Sequence, residues 1–172
     1  MLFRSCSTLD APDTYNTTDK IRRGNIKARL RMIALYDLAG TTKGMVLGTT
    51  NYTEALLDFF TVGGDGCVDY EPIYYLWKTE VYELAAHLLG ECNEDQRTAM
   101  VQAIQCQPTD GLGISETDVD QFGESSYEKV DTILRDYISC DDPNTKKDLE
   151  DYLVVQRYLK RFKHNLPITP MV

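Results

Sequence analysis

The sequence predicts an α/β protein that is rich in helix. Apolar residues recur at helical spacing in several separate stretches, whereas one short apolar run, residues 44–48, has the length and composition of a buried strand. Two glycine-rich segments, 63–66 and 108–113, separate the periodic stretches, and glycine at this density is typical of loops with unusual backbone angles. The predicted architecture is therefore helical, with one convincing strand and two loops suited to a ligand.

The predicted elements follow one another from a turn-rich beginning. Residues 1–21 are polar, so we expect a flexible lead-in. From Gly24 apolar residues recur at helical spacing with basic residues between them, which predicts an amphipathic helix that ends near Gly40. The other predicted helices span 52–60, 78–89, 95–105, 125–138 and 144–162.

The composition excludes several classes of protein. The chain has 18 Lys and Arg residues against 27 Asp and Glu residues, a net charge of −9, which is opposite in sign to a duplex-binding protein. Its apolar runs are far shorter than the ~20 residues of a membrane helix. The five cysteines are dispersed without a close pair, which is typical of reduced thiols in the cytoplasm. We therefore expect a cytoplasmic protein that binds neither nucleic acid nor membrane.

The residues that follow the predicted strand are the most informative. In open α/β sheets, ligands bind beyond the carboxyl ends of strands, where a helix N-terminus offers N–H groups to anions. The simpler explanation is local, because Asn51 can cap the next helix and Glu54 can complete a capping box. Glu54 is also a natural Mg²⁺ ligand beside a phosphate site. Lys78 begins a predicted helix, where the dipole mildly disfavours a cation, so it is either a surface lysine or faces phosphate.

Two further segments are candidates for anion or metal binding. Arg29 lies in the basic first turns of the predicted helix from Gly24 and is suited to a two-pronged contact with phosphate or carboxylate. Asp65 and Asp69 place two carboxylates beside the first glycine-rich loop. Taken alone, Arg29 is more simply explained as a solvated side chain, and the glycine-rich segment as a tight surface turn.

The order of these motifs closely resembles the NAD⁺ synthetase family. The matching segments, in order, are 22–32, 46–54, 64–66, 77–85, 108–113 and 162–164. The resemblance implies that 22–172 is the C-terminal portion, about two-thirds, of an ammonia-dependent NAD⁺ synthetase domain. The implied fold is a partial Rossmann-like parallel-sheet domain of the adenine-nucleotide alpha-hydrolase type.

The resemblance also implies a reaction and a set of site residues. Such enzymes use MgATP to adenylate the nicotinate carboxylate of deamido-NAD⁺, and ammonia then displaces AMP to form the amide. Family members are homodimers with the deamido-NAD⁺ sites at the subunit interface. Matching positions assign ATP contacts to Thr49, Lys78 and Thr109, Mg²⁺ ligation to Glu54, and deamido-NAD⁺ contacts to Arg29, Asp69 and Lys163.

The sequence departs from the family pattern in several places. Val62 stands where many members have lysine, Cys67 where glycine is usual, and His164 where arginine is common. The family's Ser-Gly-Gly-x-Asp-Ser pyrophosphate loop does not occur in this sequence, and 63–66 is not a substitute because it follows a predicted helix. Two interpretations stay open: a synthetase that works with a second polypeptide supplying this loop, or a catalytically inactive truncated relative that dimerises or binds a dinucleotide.

Overall fold

The computed structural model describes residues 17–109 and 111–161 and confirms the helix-rich class. The helices are α1 (Thr17–Thr42), α2 (Tyr52–Leu56), α3 (Lys78–Leu88), α4 (Glu94–Gln105), a 3₁₀ helix (Val119–Phe122), α5 (Tyr127–Ser139), α6 (Pro143–Leu149) and α7 (Leu153–Leu159). The predicted parallel sheet is not shown. In the described ranges, the strand pairing consists of one isolated parallel bridge between Leu47 and Tyr70.

Helix α5 lies at the centre of the core. It packs against both α3 and α7, and α4 packs against α3. Val130 and Leu134 of α5 are completely buried, and burying a side chain of this size stabilises the fold by roughly 1.5–3 kcal/mol. The buried apolar residues of this core are Leu56, Leu57, Phe122, Tyr127, Val130, Leu134, Tyr137, Val154 and Val155.

Helix α1 is long and contacts both glycine-rich loops. At about 1.5 Å per residue it extends roughly 39 Å. Lys20 Nζ donates to the carbonyl of Gly113 at 2.7 Å, and Thr61 Oγ1 donates to Asn25 Oδ1 at 2.8 Å. Through these contacts the helix joins segments that are far apart in the sequence.

The start of α1 differs from the prediction. The helix is already formed at Thr17, and the predicted start at Gly24 is wrong. A Cβ at Gly24 would overlap the side chain of Leu112, so this glycine permits close packing inside the helix and does not begin it. Residues 17–21 of the predicted lead-in are helical, residues 1–16 lie outside the described residues, and the division at residue 21 stays a prediction.

The predicted buried strand at 44–48 is an extended segment with one buried side. Val46 is buried, but Met45 is 63% exposed and Leu47 58% exposed. The backbone of Val46 and Gly48 bonds to Asp69 and Tyr70. Among the described residues, the backbone groups of Met45 and Leu47 form no hydrogen bond. An apolar run becomes fully buried only when neighbours lie on both sides. The described residues cover this segment on one side only, so Met45 and Leu47 stay exposed.

The helices predicted at 78–89, 95–105 and 125–138 are confirmed to within two residues. Two other predicted helices differ from the structure. Helix α2 ends at Leu56, because Asp58 adopts a left-handed conformation with φ of 52°. The helix predicted over 144–162 is divided into α6 and α7. Tyr152 is extended between them, and the preceding Glu150 accepts a hydrogen bond from Tyr137 of α5 at 3.1 Å.

Candidate active site

Glu54 and Lys78 form an ion pair close to the carboxyl end of the extended segment. Asn51 accepts a hydrogen bond from the Glu54 N–H at 3.1 Å, and Glu54 Oε2 accepts one from the Asn51 N–H at 3.2 Å. The predicted capping box is thus confirmed. The other carboxylate oxygen of Glu54 lies 2.8 Å from Lys78 Nζ. One carboxylate therefore caps α2 and also pairs with the first residue of α3.

The ion pair is partly shielded from water by tyrosines. The side chains of Lys78 and Glu54 are 17% and 16% exposed. Lys78 Nζ lies 5.2 Å from the ring centroid of Tyr127 and 5.9 Å from that of Tyr82. Burial is the main reason that the pKa of Tyr127 is raised far above its ordinary value, and the charges of Asp118 and Glu54 add to it. The hydroxyl therefore stays neutral, and the rings present electron-rich faces to the lysine cation.

A buried carboxylate lies beneath this pair. Asp131 of α5 accepts hydrogen bonds from Thr53 Oγ1 at 2.6 Å, from the Thr79 N–H at 2.9 Å and from Thr79 Oγ1 at 2.8 Å. Thr53 Oγ1 in turn accepts from the Lys78 N–H at 2.9 Å. The network connects α2, α3 and α5 directly below the Glu54–Lys78 pair.

Arg29 and Asp69 lie where α1 meets the first glycine-rich loop and the extended segment. Arg29 Nε donates to the carbonyl of Val62 at 3.1 Å. Asp69 accepts from the Val46 N–H at 2.7 Å and from the Tyr36 hydroxyl at 3.2 Å. Burial, the hydrogen bond to Asp69 and the charge of Asp69 raise the pKa of Tyr36 to about 12. Both residues thus hold α1 in place while remaining exposed.

The remaining predicted site residues have fewer contacts. Thr49 is exposed just before the α2 cap. Thr109 is also exposed, and its hydroxyl accepts from the Gly111 N–H at 3.3 Å in the second glycine-rich loop. Neither residue shares a hydrogen bond with Glu54 or Lys78 in the described part of the chain. Lys163 lies outside the described residues.

The departures from the family pattern have different surroundings. Val62 is exposed, and only its backbone carbonyl contacts Arg29. Cys67 is half-buried, and its thiol group makes a minor contribution to the raised pKa of Tyr36. His164 lies outside the described residues, so its surroundings are not given by the structure.

A protein-family comparison decides the classification. The family model described as NAD synthase matches residues 5–166, nearly the whole chain. The chain belongs to the NAD synthase family. The sequence-based resemblance to this family is therefore confirmed, and with it the association of the family with NAD biosynthesis.

Individual relatives are similar to this chain over most of its length. The NH(3)-dependent NAD(+) synthetase of Thermoplasma acidophilum is 43% identical over 156 residues, which cover 90% of this chain and 59% of the relative. The enzyme of the same name from Thermoplasma volcanium is 42% identical over 141 residues, covering 80% and 54%. The chain thus spans less than two-thirds of the length of these relatives.

A solved structure is also similar to the chain. The NMN synthetase from Francisella tularensis matches with a TM-score of 0.60 and 28% identity, over 92% of this chain and 59% of that one.

In the ranges that the structure describes, no helix has the length and apolar character needed to cross a membrane. Those ranges also contain no group of three or more His, Cys, Asp or Glu side chains placed to hold a metal ion.

Sequence reasoning missed the residues around Lys78. Tyr82, Tyr127, Thr53 and Asp131 were not among the predicted site residues. One signal was available for Asp131, because it lies on the same helical stripe as Val130 and Leu134. A carboxylate within an apolar stripe is uncommon and requires partners when buried. Its partners come from α2 and α3, and no local pattern in the sequence identifies them.

Proposed function

We propose that this chain takes part in the ATP-dependent amidation of deamido-NAD⁺ with ammonia, through an adenylated nicotinate intermediate. The observation that most supports the proposal is the shielded Glu54–Lys78 pair beyond the extended segment, in a chain of the NAD synthase family. A fixed cation and a carboxylate suited to a metal are what the departure of pyrophosphate from ATP requires. Thr49 and Thr109 add exposed hydroxyl groups as ATP contacts.

Glu54 is suited to binding Mg²⁺ together with ATP. Its two oxygens already accept from the Asn51 N–H and the Lys78 ammonium, but a carboxylate has about four acceptor positions in total. Mg²⁺ is commonly bound by one or two carboxylates with phosphate and water completing its shell. A single carboxylate from the described residues is therefore enough for a Mg²⁺ site of this kind. When bound, the metal would neutralise charge on the phosphates of ATP and so favour the departure of pyrophosphate.

Lys78 would neutralise the phosphates from the other side. Its ammonium group is held between Glu54 and the two tyrosine rings, so little side-chain entropy is left to lose when an anion binds. The rings of Tyr82 and Tyr127 also reduce access of water. Exclusion of water protects an adenylate, which hydrolyses if water reaches it before ammonia.

Arg29, Asp69 and Lys163 are proposed to bind deamido-NAD⁺. The single hydrogen bond of Arg29 within the described residues uses Nε, and a guanidinium has five N–H donors. Four donors therefore remain for an anionic substrate group. Asp69 is fixed at both oxygens and is placed to accept from a hydroxyl or amide without moving.

We also propose that the site is completed by further polypeptide carrying a Ser-Gly-Gly-x-Asp-Ser loop. The extended segment supports this proposal, because the backbone edge at Met45 and Leu47 has no hydrogen-bonding partner among the described residues and both side chains are exposed. Such an edge accepts another strand readily. A parallel strand placed there would bring its carboxyl end, and any loop after it, to the side where Glu54 lies.

A homodimer formed through α1 is proposed as the functional unit. Several large apolar side chains of this helix are exposed: Ile21, Ile26, Leu30, Ile33, Leu35 and Leu38. An apolar surface of this extent along one helix is typical of an interface. Because Arg29 lies on the same helix, the dinucleotide site would lie beside that interface.

A cytoplasmic location is proposed from the free thiols of Cys67, Cys92, Cys106 and Cys140.

A mononucleotide is the second candidate substrate. The similar solved structure is that of an NMN synthetase, and Val62 provides no cation where many relatives have lysine. A smaller substrate with the same nicotinate carboxylate would undergo the same adenylation and amidation. The ratio of kcat/KM for the dinucleotide and the mononucleotide distinguishes the two candidates.

The test is NAD⁺ formation by the purified chain with MgATP, ammonium and deamido-NAD⁺, alone and with a polypeptide that carries the pyrophosphate loop. We expect Mg²⁺-dependent turnover in at least one setting, and its loss in Lys78→Met. Binding of MgATP and deamido-NAD⁺ without turnover in either setting would favour the inactive, dinucleotide-binding alternative. Absence of binding and of turnover in both settings would contradict the proposal.

A further inference from the structure

Asp131 is the most completely enclosed acidic residue in the neighbourhood of the site. It is 2% exposed, and its two oxygens accept the three hydrogen bonds from Thr53 and Thr79 described above. Enclosing a carboxylate is costly unless it is well hydrogen-bonded. An apolar side chain here would leave the Thr79 N–H and the hydroxyl groups of Thr53 and Thr79 without this acceptor, so the aspartate is explained by the groups that it holds.

The groups that Asp131 holds belong to the ends of the two helices that present the ion pair. The first N–H groups of an α-helix have no partner within the helix. In α3 the Lys78 N–H is accepted by Thr53 Oγ1 and the Thr79 N–H by Asp131, because the N-cap residue Trp77 provides no side-chain acceptor. The acceptors for the N–H groups of Lys78 and Thr79 are therefore supplied by α2 and α5.

The network determines the position of both charged residues through their chain neighbours. Thr53 is adjacent to Glu54 in α2, and Thr79 is adjacent to Lys78 in α3. Asp131 bonds both threonines at once. A displacement of the carboxylate would change the spacing between the helix ends and therefore the separation of Glu54 from Lys78.

We propose that Asp131 is a positioning residue that holds Glu54 and Lys78 at the separation needed to bind a metal-bound nucleoside triphosphate. The ligand named in this inference rests on the proposed function, whereas the geometry rests on the hydrogen bonds alone. Asp131 touches neither member of the pair and acts through Thr53 and Thr79. The Thr53 hydroxyl is essential to the arrangement, because it donates to Asp131 while accepting from Lys78.

The test compares variants in the network with a variant that only destabilises the core. Asp131→Asn removes the charge, and Thr53→Val removes the hydroxyl while keeping the shape. Thr53→Ser keeps the hydroxyl and is the rescue control. Val130→Ala removes buried apolar volume from the same helix without touching the network. The chain is studied with any completing polypeptide that the activity assay shows to be required, at a temperature where every variant is folded.

Two quantities are measured for each variant. The first is the dissociation constant for MgATP. The second is the rate at which trace acetic anhydride labels Lys78, relative to the exposed Lys43, followed by peptide mass spectrometry. We expect Asp131→Asn and Thr53→Val to weaken MgATP binding about tenfold or more, as loss of one charge-assisted hydrogen bond would. Both should also raise the labelling of Lys78, whereas Thr53→Ser and Val130→Ala should behave nearly as the native chain does.

The outcomes separate this inference from the proposed function. If the network variants change MgATP affinity and Lys78 labelling no more than Val130→Ala does, the inference is overturned and Asp131 only stabilises the core. If the native chain binds no MgATP, the proposed function fails, and labelling alone decides the geometry. Increased labelling in the network variants then supports positioning by Asp131, and unchanged labelling overturns it. If Asp131→Asn does not fold, the Thr53 pair gives the same decision.

Discussion

Replacing Glu54 with glutamine should separate the proposed role of this residue in binding Mg²⁺ from its structural role in capping α2. Glutamine at the third position of a helix still completes a capping box, so α2 keeps its cap. The change removes the charge that pairs with Lys78 at 2.8 Å and weakens the group as a Mg²⁺ ligand. We expect a folded protein with little or no Mg²⁺-dependent activity.

The exposure of the ion pair allows the effects of Glu54→Gln on stability and on activity to be estimated. Exposed ion pairs contribute about 0.2–1 kcal/mol, whereas breaking a buried pair costs about 3–5 kcal/mol. The Glu54–Lys78 pair lies between these limits, and Lys78 keeps its contacts with two tyrosine rings. We therefore expect a loss of about 1–2 kcal/mol in the free energy of unfolding. Loss of a metal contact worth about 3 kcal/mol in the transition state would lower kcat/KM roughly 100-fold or more.

Glu80 offers a matched control in the same chain. Like Glu54 it is the third residue of its helix, accepts from a backbone N–H, here that of Trp77 at 2.9 Å, and pairs with a cation, here Arg135 at 2.6 Å. This second pair is 45% and 36% exposed, so Glu80→Gln should cost less than about 1 kcal/mol and leave activity nearly unchanged. The assays are urea unfolding, MgATP titration and NAD⁺ formation. Native MgATP affinity in Glu54→Gln, or an equal loss in both variants, would refute the reasoning.

Three further predictions concern pH, packing and assembly. Burial raises the pKa of Glu71, so this group favours folding only while protonated, and its contribution is lost as pH rises from about 4.3 through the raised value. Glu71→Gln should therefore increase the free energy of unfolding at pH 7 but not at pH 4, and an equal change at both would contradict this. Gly64→Ala would place a Cβ 2.9 Å from that of Ala28 and should cost about 1–3 kcal/mol. Gly40→Ala meets nothing within 4 Å and should stabilise α1 by roughly 0.5–1 kcal/mol; thermal unfolding of both variants checks the difference. Ile33→Lys should shift the chain from dimer to monomer in sedimentation equilibrium, and an unchanged association constant would exclude this face of α1 as the interface.

Local patterns in the sequence predicted the parts of the fold that local interactions determine. The capping box from Asn51 to Glu54 needs only residues three positions apart, and it is found as predicted. Helices α3, α4 and α5 have the expected bounds to within two residues because their apolar spacing and end signals agree. Lys78 begins α3 as predicted, and its assignment to phosphate stays a prediction.

Features that depend on distant residues were not predictable in this way. Gly24 has the appearance of a helix start, but its role is to admit Leu112 against α1. Helix α2 ends because the backbone turns at Asp58, although neither glycine nor proline marks the position. The exposure of Met45 and Leu47 depends on what lies beside the segment, which the apolar run itself does not specify. In each case long-range packing outweighs the local pattern.

The way in which the first turn of α3 is capped has a consequence for how this region unfolds and refolds. A helix whose end groups are all capped by nearby residues can form and fray by itself, but the N–H groups of Lys78 and Thr79 in the first turn of α3 have their acceptors on α2 and α5. That turn therefore gains its full stability only after residues more than 50 positions later in the chain have docked. Amide protons of Lys78 and Thr79 are then expected to exchange with solvent through the same cooperative event that undocks α5. The cation of the site is thus fixed in place only when α5 docks, and it is released when α5 undocks.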